Sequence, residues 1–286
     1  MSAATLWRTY ESLLNQPTNL FEWILVDDAS PDGGLTKSII EKIKDEAPFV
    51  VKTLFLEKNH FGSKSVYSGC LIAEGIYVAI LDHDDQLTPE ALTTAKNYLD
   101  KYGEDQNVAG VCGRCINEKG LLIGGKFTLD CKLTNEADIR FIQKNTSELF
   151  QFSKIEIIKP LFELMRPGYT NGFVWAKVSQ NYNYIYVNDV FRIYDTALVT
   201  SYSNTKNYLT KYPEAKAEAI KATILIYRKY FKYNFLYGLR YVASYLRHTI
   251  NSGSDFSKSI SDFDFFLKVC CFFIYPISKL KSKQWI

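Results

Sequence analysis

The chain of 286 residues is 47% hydrophobic and 15% aromatic, and its formal net charge at pH 7 is +3. This composition can fill a sizeable core and excludes a disordered or fibrous protein, while so small a net charge gives no reason to expect nucleic acid as a partner. The charge is unevenly spread: the residues from Lys211 onward contain 13 Lys and Arg against 5 Asp and Glu, a balance of +8 that leaves −5 for the first 210 residues. We therefore expect only the basic, aromatic C-terminal part to meet a polyanionic surface.

The N-terminus and the cysteines indicate a cytoplasmic protein. The first residues lack the basic-then-apolar layout of a secretion signal, and no apolar run reaches the roughly 18 residues of a transmembrane helix. The six cysteines are expected to be free thiols in a reducing compartment. Cys112 and Cys115 have the spacing of a redox or metal site, but no second such pair accompanies them, so a structural role is favoured.

Helical and strand patterns alternate through the first part of the chain. Apolar residues at helical spacing and short apolar runs bounded by turn residues define these elements. In order, they are a helix at 6–14, a strand at 21–26, a helix at 35–47, a strand at 49–56, a helix at 65–74, a strand at 76–81, a helix at 89–102 and strands at 108–116 and 121–127. This alternation predicts an α/β fold with a doubly wound, mostly parallel sheet flanked by helices.

The second part of the chain is less regular. We expect a helix that carries Ile139, Ile142, Leu149 and Phe150. The remaining elements are, in order, a Gly- and Pro-punctuated loop at 160–175, strands at 184–187 and 190–194, a polar linker at 200–207, a helical tract at 213–248 and an aromatic segment at 263–277. The linker predicts a domain at 1–205 and a helical, basic and aromatic C-terminal region at 206–286.

Three carboxylates, those of Asp82, Asp84 and Asp85, directly follow the apolar run Ile76–Leu81. Ligands of open α/β sheets bind beyond the carboxyl ends of the strands, and neighbouring acids repel one another unless a cation joins them. Hard oxygen ligands suit Mg²⁺ or Mn²⁺, which commonly also bind substrate phosphates. The alternative is a solvated turn that leads into the helix beginning near Thr88.

A second acidic turn, with Asp27 and Asp28, ends the strand at 21–26. Because parallel strands deliver their carboxyl ends to one edge of a sheet, we expect both acidic groups at a single site. Neither a dinucleotide-binding GxGxxG nor a phosphate-binding GxxxxGK[ST] pattern is present. The two acidic turns are therefore the main indication of a functional site.

The segments FEWILVDDASPDGG at 21–34 and ILDHDDQLTPEAL at 80–92 resemble those of family 2 glycosyltransferases. The similarity extends from about Thr5 to Tyr202. It implies a GT-A fold and one-step, inverting transfer of a sugar from a UDP- or GDP-linked donor to a glycan or lipid-linked acceptor, in the synthesis of a surface polysaccharide. It also implies that Mg²⁺ or Mn²⁺ neutralises the departing diphosphate.

The resemblance assigns roles to individual residues of this chain. It implies that Asp28 binds the nucleotide base, that Asp82 holds the ribose and that Asp84 binds the metal. Lys64 is the expected phosphate contact, with His60 as an alternative. These are the nucleotide-sugar and metal residues that the sequence predicts.

The chain departs from the family pattern in three places. The usual first strand is absent because the chain begins within the helix that follows it, so we expect a late start or an incomplete N-terminus. In the phosphate loop, the segment NHFGSKSVYSGC at 59–70 that contains His60 and Lys64, Tyr67-Ser68 stands where Arg-Asn is common in the family. The position of the family's catalytic base matches Asn171, whose amide cannot accept a proton, which leaves Asp189 and Glu163 as weak substitutes.

Three hypotheses for the function follow. The first is an active, metal-dependent transferase. The second is a non-catalytic relative that binds a nucleotide sugar or acts as a scaffold in a glycan assembly complex, as Asn171 suggests. The third is a nucleotidyltransferase, which is disfavoured because no Gly-rich loop with Arg or Lys lies near the start.

The aromatic segment at 263–277 precedes Lys279, Lys281 and Lys283. One interpretation is a peripheral anchor at the inner face of the cell membrane, with aromatic side chains in the interface and lysines on anionic head groups. The alternative is a helix packed on the catalytic domain with a solvated basic end.

Overall fold

A computed structural model of the chain describes residues 2–196 and 211–282. The linker expected at 200–207 and the boundary at 205 lie outside the described residues, so the division into two regions stays a prediction. Within the described ranges the chain forms an α/β body that is followed by a group of helices.

The helices of the body bury one apolar stripe each. In α1, for example, Leu6, Tyr10 and Leu13 are buried at helical spacing. The helices are α1 (Leu6–Leu14), α2 (Leu35–Glu46), α3 (Ser65–Ile72), α4 (Ala91–Tyr102), α5 (Ile155–Glu163), α6 (Asn171–Val178), α7 (Pro213–Tyr227), α8 (Phe235–Asn251), α9 (Phe256–Ser259) and α10 (Phe265–Ser282).

The strands form two sheets in the described part of the chain. Their bounds are β1 (Glu22–Asp27), β2 (Val50–Phe55), β3 (Tyr77–Val78), β4 (Gln86–Leu87), β5 (Val108–Asn117), β6 (Lys132–Thr134), β7 (Leu149–Lys154) and β8 (Asn183–Tyr194). Strands β1 and β2 pair with each other in one sheet, and the other has the order β3-β7-β5-β8-β4 with β6 also paired to β8. The two longest ladders, β1 with β2 and β5 with β8, are parallel, and the shorter pairings are antiparallel.

Helices cover both faces of the six-stranded sheet. Side chains alternate along β5, so Val111 packs in one cluster with residues of α1, α2 and α4, and Cys112 packs in another with residues of α5 and α6. Gly110 permits the close approach of β7, because a Cβ there would lie 1.9 Å from the carbonyl oxygen of Phe152. This arrangement confirms the predicted α/β fold with flanking helices.

Four local predictions are wrong. The predicted strand at 121–127 is reduced to a single bridge between Ile116 and Leu122, since Gly124 turns the chain with a φ of +94°. The predicted helix ends at Ile142, and Leu149 lies in β7 instead. The loop expected at 160–175 is short, because α5 extends through Pro160 and α6 begins at 171. The two strands predicted at 184–194 are one strand.

The C-terminal helices pack on α6 through a third apolar cluster. This cluster contains Ala176 of α6 together with buried residues of α7, α8 and α10, among them Ile224, Val242 and Leu267. Within residues 2–196 and 211–282, none of the helices combines the length and the hydropathy that crossing a membrane requires. The predicted helical C-terminal region is confirmed in its secondary structure.

Candidate functional site

The acidic loop at 82–85 is held in place by α1. The Thr9 hydroxyl lies 2.9 Å from the carbonyl oxygen of His83 and 2.8 Å from that of Asp85, so its single proton is donated to one or shared between both. At the start of the helix, Thr5 Oγ1 lies 2.8 Å from His83 Nδ1. The hydroxyl groups of Thr5 and Thr9 therefore fix the His83 side chain and the loop backbone relative to the start of α1.

Arg8 makes a second link between α1 and the loop. One guanidinium nitrogen, Nη2, donates to the carbonyl oxygen of Asp84 at 3.0 Å and also to the carboxylate of Asp195, which follows the end of β8. Asp195 in turn donates its backbone N–H to Asp85 Oδ1 at 3.1 Å. The acidic loop, α1 and the end of β8 are thus joined in one polar network.

The same face of α1 continues to hold the segment after the loop. The Ser12 hydroxyl accepts a hydrogen bond from the backbone N–H of Leu87 at 3.1 Å. The Gln16 amide donates to the carbonyl oxygen of Thr88 at 2.9 Å and accepts from the N–H of Leu92 at 3.2 Å. Together with Thr5 and Thr9, these groups recur every three or four residues, so one stripe along α1 and its two ends contacts several residues of the segment 83–92.

The three aspartates of the loop converge. One carboxylate oxygen from each of Asp82, Asp84 and Asp85 lies within 4.8 Å of the others; Asp82 is exposed, Asp84 is partly buried and Asp85 is buried. Desolvation by surrounding protein atoms raises the pKa of Asp82, although solvent reaches part of its surface, and the charge of Asp84 raises it further. A divalent cation would relieve this repulsion, and the oxygen donors fit Mg²⁺ or Mn²⁺.

Asp85 is occupied by protein partners. Its Oδ2 lies 3.0 Å from Arg192 Nη1, and both side chains are buried. Burial raises the pKa of Asp85 to about 7, against the opposing charge of Arg192. Arg192 also contacts Glu148 at 2.7 Å. Asp82 and Asp84 are therefore the two carboxylates that remain available to a cation.

Asp28 organises the loop after β2. Its Oδ1 accepts the backbone N–H of His60 at 2.9 Å, and its Oδ2 accepts that of Gly62 at 2.7 Å. The structure thus brings Asp28 together with the loop that the sequence identifies as the phosphate loop. Each oxygen keeps a second lone pair for a ligand. The convergence of Asp28 with Asp82 and Asp84 stays a prediction.

Lys64 and Glu163 lie next to each other. The Lys64 ammonium donates to the carbonyl oxygen of Glu163 at 2.9 Å and lies 5.7 Å from the ring centre of Tyr67. Desolvation, followed by the charge of Glu163, raises the pKa of Tyr67. The Glu163 residue is exposed at the end of α5.

The two other candidates for the base are placed differently. Asp189 lies within β8 and its Oδ2 accepts a hydrogen bond from the Tyr98 hydroxyl of α4 at 2.9 Å. Asn171 is exposed at the first position of α6, after Thr170. Neither of them has a hydrogen bond or ion pair to the three loop aspartates among the interactions described here.

Sequence reasoning did not identify Arg8, Thr9 or Arg192 as parts of the site. The available signal for Arg192 was a charged residue within an otherwise apolar strand, since a buried charge needs a partner. The sequence gave no such signal for Thr9 and Ser12, because polar residues of a short amphipathic helix are expected on its exposed face, whereas both are buried.

The family comparison covers α1, Asp28, Lys64 and the acidic loop. The model of Glycosyl transferase family 2 matches residues 2–149. The poly(ribitol-phosphate) beta-N-acetylglucosaminyltransferase TarP of Staphylococcus aureus (strain N315) is 35% identical over 128 residues, which are 40% of this chain and 37% of TarP. An uncharacterized glycosyltransferase of Mycoplasma pneumoniae, an MG060 homolog, is 30% identical over 90 residues, 31% of this chain and 29% of that protein. The chain thus matches about a third of the length of these curated relatives.

Solved structures share the fold over nearly the whole chain. S. aureus TarS 1–349 in complex with UDP superposes with a TM-score of 0.58 and 17% identity, over 99% of this chain and 88% of that chain. The mannosyltransferase PcManGT from Pyrobaculum calidifontis, in complex with GDP-Man and Mn²⁺, gives 0.57 and 15% identity, over 99% and 84%. These identities show the fold alone, whereas the match of the family model over more than half of the sequence shows that the chain belongs to glycosyl transferase family 2.

Proposed function

We propose that this chain transfers a sugar from a UDP- or GDP-linked donor to a glycan or lipid-linked acceptor, with inversion, in the synthesis of a surface polysaccharide. The observation that carries the proposal is the convergence of Asp82, Asp84 and Asp85 within 4.8 Å. Since Arg192 engages Asp85, the two remaining carboxylates form the open part of the cluster. The nucleotide-sugar ligands of TarS and PcManGT, which share the fold, add support.

Asp84, with Asp82 beside it, is the proposed holder of Mg²⁺ or Mn²⁺. Such an ion, when bound, supplies positive charge to the diphosphate leaving group. The protein contributes a fixed loop backbone, since Thr9 and Arg8 hold its carbonyl oxygens. Asp82 is also the proposed contact of the ribose, and Asp28 that of the nucleotide base.

Inversion requires a base that removes the proton of the acceptor hydroxyl. Among the candidates, Glu163 is exposed at the end of α5, while Asp189 is half-buried in β8 and accepts a hydrogen bond from the Tyr98 hydroxyl. We therefore favour Glu163, with Lys64 beside it as the proposed phosphate contact. Glu163→Gln should lower the rate more than Asp189→Asn, and an equal or reversed effect would exclude Glu163.

Product formation from a panel of UDP- and GDP-sugars with Mn²⁺ or Mg²⁺ tests the proposal. Asp84→Asn should lower the rate at least about a hundredfold, because metal or oxyanion stabilisation of this kind contributes several kcal/mol. Asp100→Asn is the matched control, because Asp100 is exposed on α4 and pairs only with Lys96 among the described residues. Full activity of Asp84→Asn, or no product from any donor tested, would contradict the proposal.

The second candidate is a relative that binds a nucleotide sugar without turning it over. Asn171 at the family's base position favours it, because an amide cannot take up the proton. Calorimetry with UDP- and GDP-sugars separates the two: saturable binding without product identifies the non-catalytic relative, whereas a rate that Asp84→Asn removes identifies the enzyme.

The exposed face of α10 supports peripheral association with an anionic membrane on the cytoplasmic side. Phe265, Phe272 and Phe273 are 84%, 68% and 71% exposed, and Lys268 lies on the same helix. Aromatic side chains of this kind enter the membrane interface, while each lysine near anionic lipid contributes about 1 kcal/mol. Of the three lysines that the sequence assigned to head groups, Lys279 lies on α10, whereas Lys281 and Lys283 have side chains outside the described part.

Vesicle flotation tests this association with the intact chain. Replacing the three phenylalanines of α10 by Ser should reduce flotation with phosphatidylglycerol vesicles at least about tenfold, since each buried ring contributes 1.5–3 kcal/mol. Substitution is preferable to truncation because α10 supplies Leu267 and Cys271 to the third apolar cluster. Leu121→Ser, at a residue that is exposed on the α/β body, is the control, and equal flotation of all three proteins would refute the anchor.

A further inference from the structure

A cavity lies between the α/β body and the C-terminal helices, and its described lining contains no residue of the acidic loop at 82–85. Its volume is about 390 Å³. The loop before α6 forms one wall, and α7 and α8 form the others. The lining residues are Gly168, Thr170, Lys216, Ala219, Ile220, Tyr237, Arg240, Tyr241, Ser244 and His248.

The ionisable side chains of opposite sign are absent from the described lining of this cavity: its Lys, Arg and His residues are all basic. Lys216, Arg240 and His248 face the cavity, and its described lining contains neither Asp nor Glu. Lys216 is 5% exposed, and burial lowers its pKa to about 8. Basic side chains from both α7 and α8 thus line the cavity, which makes it an electropositive recess.

His248 adds an unsatisfied polar atom to the recess. Its Nδ1 is buried and has no hydrogen-bond partner within the described residues. Burial, and then the positive charges of Lys216 and Arg247, lower the pKa of His248 to about 4. The imidazole is thus neutral at pH 7 and can donate one N–H to an acceptor atom in the cavity.

One acidic side chain of α7, that of Glu218, is engaged by an arginine outside the cavity lining. Glu218 pairs with Arg166, which also donates to the Tyr169 hydroxyl at 3.0 Å. Arg240, by contrast, has no ion pair in the described part of the chain. The charge of the recess is therefore not balanced by an acid of its own lining.

Hydroxyl groups complete the donor set. Thr170, Ser244 and the two tyrosines Tyr237 and Tyr241 line the same cavity as the cations. A guanidinium, an ammonium and several hydroxyls together form the donor set that a phosphate group requires, since its oxygens are acceptors only and Arg binds them in a fork. The tyrosine rings also offer apolar surface for the carbon skeleton that carries the phosphate.

We propose that this cavity binds a phosphate ester, and that the ester belongs to the acceptor. The second part rests on the proposed function, whereas phosphate binding does not. The diphosphate of a donor at the acidic loop needs an added cation because that loop is anionic, whereas this recess supplies its own cations from α7 and α8. The two sites therefore suit two different phosphorylated molecules, and the acceptor class is a glycan or a lipid-linked acceptor that carries a phosphate group.

Calorimetry with glycerol 3-phosphate, without any donor sugar, tests the site. The wild-type chain should bind this probe saturably, and Arg240→Gln should weaken binding at least about tenfold, since a hydrogen bond to a charged group contributes 1.5–3 kcal/mol. Lys216→Met should have at least the same effect. Arg240 is exposed, so its variant keeps the test interpretable if the Lys216 variant does not fold.

The matched control is Lys229→Gln, which removes one positive charge from an exposed residue outside the cavity. Equal binding of glycerol 3-phosphate by wild type, Arg240→Gln and Lys229→Gln would overturn the proposal. So would the absence of saturable binding to both glycerol 3-phosphate and phosphatidylglycerol vesicles. The readout is binding alone, so a chain without transferase activity can still confirm the site.

A second measurement distinguishes a soluble ester from a lipid head group. Binding to phosphatidylglycerol vesicles that Arg240→Gln weakens, without binding of glycerol 3-phosphate, assigns the phosphate to a lipid-linked acceptor. Binding of glycerol 3-phosphate that Arg240→Gln weakens assigns it to a soluble or polymeric acceptor. Vesicle binding that depends only on the phenylalanines of α10, with no effect of Arg240→Gln on either probe, contradicts the proposal.

Discussion

Arg192 Nη1 lies 3.0 Å from Asp85 Oδ2, with the two side chains 7% and 1% exposed. This ion pair joins the end of β8 to the acidic loop. The ion pair fixes the position of the loop but adds little net stability, because the free-energy cost of burying two charges is about as large as their mutual attraction. Removing one partner is different, since the other charge is then buried without compensation.

Arg192→Met should lower the free energy of unfolding by about 3–5 kcal/mol at pH 9, the usual loss for a broken buried pair. Urea denaturation measures it. The loss should be smaller at pH 5: the pKa of Asp85 is about 7 with Arg192 in place and higher without it, so at pH 5 the carboxyl is protonated and the variant has no unpaired charge.

Arg228→Met is the control for this prediction. Arg228 pairs with Asp264, but those side chains are 30% and 50% exposed, so the loss should stay near or below about 1 kcal/mol and depend little on pH. A loss at Arg192 that is no larger than that at Arg228, or one that grows toward pH 5, contradicts the role assigned to the pair.

Thr9→Val should destabilise the chain by about 1–2 kcal/mol, because it removes the hydroxyl that holds the carbonyl oxygens of His83 and Asp85. It should also raise the Mn²⁺ concentration that gives half-maximal activity, since the loop that carries Asp84 loosens. Thr93→Val on α4, where the residue is exposed, should change neither quantity. An unaltered metal requirement in the Thr9 variant would exclude a positioning role.

Gly124→Ala should cost more than about 2 kcal/mol of stability, while Gly125→Ala should cost less than about 0.5 kcal/mol. Gly124 has a φ of +94°, and a Cβ there would lie 2.5 Å from the Cα of Ser147, which cannot move away as a side chain can. At Gly125 a Cβ would meet nothing within 4 Å. Thermal denaturation of the two variants provides a matched comparison, and similar melting temperatures would show that the turn tolerates a side chain.

Stability should rise between pH 4 and 6.5 through His248. The ordinary pKa of histidine is 6.5, and burial lowers that of His248 to about 4. Between these values the unfolded chain binds a proton that the folded chain excludes, so the free energy of unfolding increases with pH, by about 2–3 kcal/mol over the window. Urea denaturation in phosphate-free buffers should show this increase for wild type relative to His248→Gln, and parallel pH profiles of the two proteins would contradict it.

The acidic loop and the surrounding helices follow from local patterns in the sequence. The run of apolar residues before Asp82 and the helical spacing in α1 are such patterns, because each is decided by residues close together in the chain. The carboxylate cluster is predictable for the same reason, since Asp82, Asp84 and Asp85 lie within four positions.

The features of the structure that the sequence does not predict depend on contacts between residues that are far apart in the chain. The pairing of Arg192 with Asp85 joins residues more than a hundred positions apart, and no local pattern indicates which buried arginine meets which acid. The failed strand at 121–127 has a similar cause: its apolar residues fit a strand, but the close approach of Ser147 to Gly124 is a tertiary constraint. Tertiary contacts override local preference at such places.

The hydrogen bonds from α1 to the segment 83–92 have a practical meaning for protein engineering. Five side chains on α1 and its two flanking ends hold a loop that lies about seventy residues later in the chain. Grafting the loop of a relative into this chain would therefore combine it with a helix that is built for another backbone. Chimeras designed to exchange donor preference should carry both segments together.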